Sequence, residues 1–124
     1  MAKAKILLAD DEEDIKTVVK MFLETRGYSV VTAYDGLDAI NMAQAEKPDL
    51  ILLDVMMPVI DGIEVARKLK ADDATKNIPI IMLSAASQQE TVKQGLDAGA
   101  RDYLVKPFEP SKLEALIRTV LGSG

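Results

Sequence analysis

Leu50 to Gly62 reads LILLDVMMPVIDG, and the fold follows from it. Leu50, Ile51, Leu52 and Leu53 show no polar alternation, so both faces of the strand they form must be covered, as in the middle of a parallel sheet. Asp54 ends the run. A charged residue there must lie at the rim, and in open α/β sheets the rim at the carboxyl ends of the strands is where ligands bind. Met57-Pro58 blocks further pairing, and Asp61-Gly62 supplies turn chemistry leading into a helix.

Outward from this stretch the same grammar repeats. Lys5 to Ala9 (KILLA) is a second short apolar run that ends in acid, at Asp10 and Asp11. Ile15, Val18, Val19, Phe22 and Leu23 follow helical spacing, with Gly27 where a C-terminal cap belongs. Ser29 to Tyr34 mixes hydroxyls among its valines and is expected at a sheet edge. Asp35 can cap a helix carrying Ala39, Ile40 and Ala43, and Pro48 lies just past its end. Beyond Gly62, Val65, Ala66 and Leu69 mark a third helix and Asp72 to Asn77 a loop. Pro79 to Ser84 is the fourth strand. Ser87 and Glu90 have capping-box spacing for a fourth helix, whose apolar face (Val92, Gly95, Leu96, Gly99) is thin, which predicts a loosely held element. Tyr103 to Val105 is the fifth strand, ended by Lys106-Pro107. Leu113, Leu116, Ile117, Val120 and Leu121 make the last helix strongly amphipathic, with Pro110 near its start. Strands alternating with helices in this way predict an α/β doubly wound parallel sheet in one domain, with a core of about 5–121 and residues 122–124 a linker or tag.

Composition removes several function classes. The 124 residues contain no Cys and no His, so thiolate nucleophiles, Ser-His pairs and imidazole metal ligands are excluded, and the chain cannot itself pass phosphate through a histidine. The net charge of -5 argues against direct nucleic-acid or anionic-membrane binding. No apolar run approaches a membrane span, and a cytoplasmic protein is expected.

The residues just past the strand ends are Asp10 and Asp11, Asp54, Ser84 and Lys106. Singly, each has an ordinary reading: the acids as helix caps or turn residues, Lys106 as a solvated edge lysine, Tyr103 as packing, Met56 and Met57 as loop cover. Their joint placement at the ends of strands one, three, four and five has no such common reason. Three converging carboxylates repel one another unless a cation neutralises them, and an oxygen-only donor set suits Mg²⁺ better than zinc.

An acid pair, a strand-ending Asp followed by MP and DG, a Ser and a Lys-Pro in this order resemble the receiver domain of bacterial two-component response regulators, over Lys5 to Leu121. Ile60 stands where such domains often carry Met. The resemblance implies the strand order 2-1-3-4-5 of a flavodoxin-like sheet with five helices, and a cis bond before Pro107. It implies Asp54 as phosphoacceptor, with Lys106 and Ser84 assisting, Ser84 and Tyr103 as switch residues, and Mg²⁺ held by Asp10, Asp11, Asp54 and the backbone carbonyl of Met56. Such a chain catalyses only its own phosphorylation and dephosphorylation. The implied partners are a sensor histidine kinase or phosphotransfer protein, an output protein or attached output domain, and a second copy on phosphorylation. The output face would comprise the fourth helix, fifth strand and fifth helix, with Lys93, Arg101, Lys112 and Arg118.

Two rivals fit less well. An FMN carrier needs a first loop that cradles phosphate, and ADDEED opposes an anion. An aspartyl-phosphate hydrolase resembles a DxD pattern, and here the residue two beyond Asp54 is Met56.

Overall fold

The computed structural model describes residues 4–122. Strands β1 (Lys5–Ala9), β2 (Ser29–Ala33), β3 (Leu50–Leu53), β4 (Ile80–Ser84) and β5 (Asp102–Val105) alternate with helices α1 (Glu13–Thr25), α2 (Gly36–Glu46), α3 (Gly62–Ala71), α4 (Gln89–Asp97) and α5 (Pro110–Leu121). All pairings are parallel, in the order β2-β1-β3-β4-β5. This is the order the family resemblance implies, and β2 stands at an edge as its hydroxyl-bearing sequence predicts.

Successive residues of a strand point to opposite faces, so the buried strands feed two core layers. Leu7, Ile51, Leu53, Ile80 and Met82 pack with Ala39, Ala43, Val65, Ala66 and Leu69 from α2 and α3. Ile6, Leu8, Leu50, Leu52, Ile81 and Leu83 pack with Val19, Leu23, Leu113 and Ile117 from α1 and α5. Leu50 to Leu53 are wholly buried, and each such side chain contributes roughly 1.5–3 kcal/mol relative to exposure.

The helices differ in how firmly they are held. Asp35 and Asp61 cap α2 and α3 by accepting hydrogen bonds from the amides of Asp38 and Glu64. Gly62 is required by close approach, because a Cβ there would strike the Asp54 carbonyl and Val55. The Ser87–Glu90 capping box does not form: α4 begins one residue later, with Gln88 at the cap and no side-chain capping bond. Only Gly95 of α4 is buried, and Leu96, expected on its inner face, is 42% exposed.

Val18, expected in the core, is exposed, because α1 is rotated so that Lys16, Val19 and Leu23, at spacing i, i+3, i+7, face inward. The second strand ends at Ala33, leaving Tyr34 exposed. Gly122, read as the start of a linker, is the left-handed C-cap of α5, while Ser123 and Gly124 lie outside the described residues.

Candidate functional site

The last ladder hydrogen bonds of the sheet deliver the site residues. The amide of Asp10 donates to the Ala33 carbonyl at 3.2 Å, that of Asp54 to Ala9 at 3.0 Å, and that of Lys106 to Ser84 at 2.9 Å. Each side chain therefore emerges where its strand stops pairing. Asp10, Asp54 and Ser84 are 1%, 3% and 0% exposed. The Lys106–Pro107 peptide bond is cis, as the resemblance implied.

Lys106 is the hub. Its ammonium donates to Asp10 Oδ2 at 2.7 Å, Glu12 Oε1 at 2.7 Å and Asp54 Oδ2 at 3.1 Å. The Met56 amide donates to Asp54 Oδ1 at 3.1 Å, so both oxygens of Asp54 are oriented. Burial raises the Asp54 pKa, the Met56 amide opposes this, and the neighbouring Asp10 charge adds to the rise against Lys106. Burial alone would depress Lys106, but hydrogen bonds to Asp10 and Glu12 and the charge of Asp54 lift it above the usual lysine range.

Ser84 Oγ accepts from the Ala86 amide at 3.2 Å, and the Tyr103 hydroxyl donates to the Ala86 carbonyl at 2.6 Å. Burial raises the Tyr103 pKa, with Ser84 opposing. A Cβ on Gly95 would sit 3.3 Å from the Tyr103 ring, so the ring lies directly against α4.

Asp10, Asp54, Ser84, Lys106 and the Met56 backbone thus meet at one rim. Asp11 is exposed, and among the described residues the acidic group within 4.8 Å consists of Asp10, Glu12 and Asp54. Glu12 was not singled out from the sequence. Its only signal is membership of the DDEED run. The donor set suits a hard divalent cation in being oxygen-only and gathered at one point, where the Lys106 ammonium now supplies the neutralising charge.

A parallel sheet with a buried, lysine-paired aspartate at the carboxyl end of its central strand is an open α/β domain whose site lies at the rim where such sheets bind ligands. The chain matches the response regulator receiver domain family over residues 6–118 and belongs to it. It is 46% identical over 117 residues to the alkaline phosphatase synthesis transcriptional regulatory protein PhoP of Bacillus subtilis, covering 94% of this chain and 48% of that protein. It is 45% identical over 121 residues to the phosphate regulon transcriptional regulatory protein PhoB of Pseudomonas aeruginosa, covering 98% of this chain and 53% of that one. The chain spans about half the length of these relatives.

Among solved structures, the chemotaxis protein CheY4 of Vibrio cholerae superposes with a TM-score of 0.90 at 38% identity, covering 96% of this chain and 99% of that one. The receiver domain of the sensor histidine kinase PA1611 of Pseudomonas aeruginosa, described with a magnesium ion coordinated in its active site cleft, gives 0.90 at 35% identity, covering 98% and 99%. No helix among the described residues is long and apolar enough to cross a membrane.

Proposed function

We propose that Asp54 accepts a phosphoryl group from a phosphohistidine on a sensor kinase or phosphotransfer protein. The observation that carries this reading is the convergence of Asp54 with Lys106, Asp10 and Ser84 at the ends of four different strands. A carboxylate oxygen of Asp54 attacks phosphorus and the P–N bond to the donor imidazole breaks. The ring nitrogen leaves with the electron pair and takes up a proton, and an acyl phosphate remains on Asp54. Lys106, already 3.1 Å from Asp54 Oδ2, is within reach of a phosphoryl oxygen attached there. Ser84 offers its hydroxyl to another oxygen, and the Met56 amide keeps the carboxylate oriented. Asp10, Asp11, Asp54 and the Met56 carbonyl are the proposed holders of Mg²⁺, which supplies charge neutralisation for the phosphoryl oxygens. The chain catalyses only this phosphorylation and the hydrolysis of its product, in which water attacks phosphorus, the P–O bond to Asp54 breaks, and inorganic phosphate and the free carboxylate are released.

Phosphorylation draws Ser84 toward the phosphoryl group, Tyr103 follows it inward, and α4, the least buried helix, shifts. The α4–β5–α5 surface then meets an output partner or a second copy. Lys93, Arg101 and Lys112 are exposed and available to it, whereas Arg118, also read onto this face from the sequence, pairs with Glu114, which in turn pairs with Arg26 at the end of α1. The relatives are named as transcriptional regulators, one of them, RpaA of Synechocystis, as DNA-binding, and this chain spans about half their length, so the absence of nucleic-acid contact is proposed for this acidic receiver domain alone.

The test is incubation with a small phosphodonor. One phosphoryl group should appear, depend on Mg²⁺, vanish in Asp54→Asn and be labile to hydroxylamine. Asp11→Ala should weaken Mg²⁺ binding in calorimetry. With beryllium fluoride as phosphoryl mimic, amide shifts should reach Tyr103 and α4 and shrink in Ser84→Ala. Incorporation that ignores chelation, or shifts confined to the rim, would contradict the reading.

A further inference from the structure

We infer that Glu12 is a positioning residue for Lys106, holding the ammonium at the solvent side of the acid cluster and releasing it when a phosphoryl oxygen arrives. The inference rests on the phosphoacceptor reading of Asp54. An ammonium has three N–H donors. Those of Lys106 are matched by Asp10, Glu12 and Asp54, so no donor is spare for an incoming anion.

The three partners are not equivalent. The side chains of Asp10 and Asp54 are 1% and 4% exposed, whereas that of Glu12 is 57% exposed. Releasing either aspartate leaves a buried charge without its partner, which is costly. Releasing Glu12 returns its carboxylate to water. It is therefore the bond that yields, and it lies on the side from which a phosphodonor approaches.

The local backbone prepares Glu12 for this task. It occupies the N-cap of α1 in an extended conformation (φ -89, ψ 110), and its side chain makes no capping bond. Its amide donates to Asp10 Oδ1 at 2.9 Å, which ties it to the floor of the site while its carboxylate reaches Lys106. A capping residue that leaves the helix uncapped to pair with a lysine 94 positions away is placed for the site rather than for the helix.

Glu12→Gln keeps the shape and removes the charge. At saturating Mg²⁺ the half-saturating concentration of acetyl phosphate should fall about threefold, the worth of a part-exposed ion pair. Asp14→Asn is the control: it removes one charge from the same exposed first turn without touching Lys106, and should leave that concentration nearly unchanged.

An independent readout needs neither metal nor donor. Hydrogen exchange of the Lys106 ammonium, followed by NMR in metal-free protein, should accelerate by about threefold or more in Glu12→Gln and not in Asp14→Asn. Unchanged ammonium exchange, a slower Glu12→Gln, or an equal effect of Asp14→Asn would overturn the inference. Wild type that takes up no phosphoryl group would overturn the parent reading instead, and the exchange measurement would still decide the role of Glu12.

Discussion

Lys106 and Lys70 both draw their ammonium groups out of water, and they respond in opposite ways. Lys70, half-buried at the end of α3, donates to the carbonyls of Lys76 at 3.0 Å and Ile78 at 2.8 Å. Burial depresses its pKa, and the charge of Arg101 lowers it further. Lys106 suffers the same desolvation, yet three carboxylates lift it above the lysine range. Carbonyl dipoles satisfy donors without compensating a charge, whereas carboxylates do both. Lys70 therefore works as a tether for the α3–β4 loop, and Lys106 as a counter-ion poised beside a nucleophile.

The widest separation between the two should appear in chemistry. Lys106→Met should slow phosphorylation by acetyl phosphate about 100-fold or more, the usual loss when a preorganised charge is removed from a developing transition state. Lys70→Met should stay within about twofold. Equal rates in the two variants would break the distinction.

Stability should separate them less. In metal-free protein Lys106→Met strands two buried carboxylates and should cost about 2–4 kcal/mol by urea titration. Lys70→Met loses two hydrogen bonds and should cost about 1 kcal/mol. Added Mg²⁺ should restore part of the first loss and none of the second.

The smallest effect is in pH dependence. The raised folded pKa of Lys106 means its contribution is fully present below the unfolded lysine value of about 10.4 and is lost as pH rises through the folded value. Lys70 has the opposite sign: the folded state binds fewer protons, so stability rises with pH between its depressed folded value and about 10.4. Urea midpoints measured across the alkaline range should lose that rise in Lys70→Met. A wild-type curve with the same slope as Lys70→Met would contradict the assignment.

What the sequence disclosed, and what it withheld, follows the same division between local and tertiary causes. Leu50 to Asp54 was legible because four apolar residues followed by an acid leave one place for the acid, and the register of β1, β3 and β4 placed it there. Asp35 and Asp61 were legible as turn or capping residues because such roles depend on neighbours in the chain. Glu12 was not, because the loop carrying Lys106 comes from 94 positions away, and nothing in DDEED says which acid it will reach. The rotation of α1 that exposes Val18 was hidden for a related reason: a partly polar face, with Lys16 inside it, was used for packing. The start of α4 was displaced by one residue, enough to dissolve a capping box whose spacing was otherwise correct.

The central claim is that Asp54, and no other acid of the rim, carries the phosphoryl group. Its most direct test is to phosphorylate wild type with a small donor and Mg²⁺, trap the acyl phosphate with borohydride, and sequence the peptides by mass spectrometry. Homoserine at position 54 alone is the predicted result. Homoserine at Asp10 or Asp11, or a reduced site outside the rim, would contradict it.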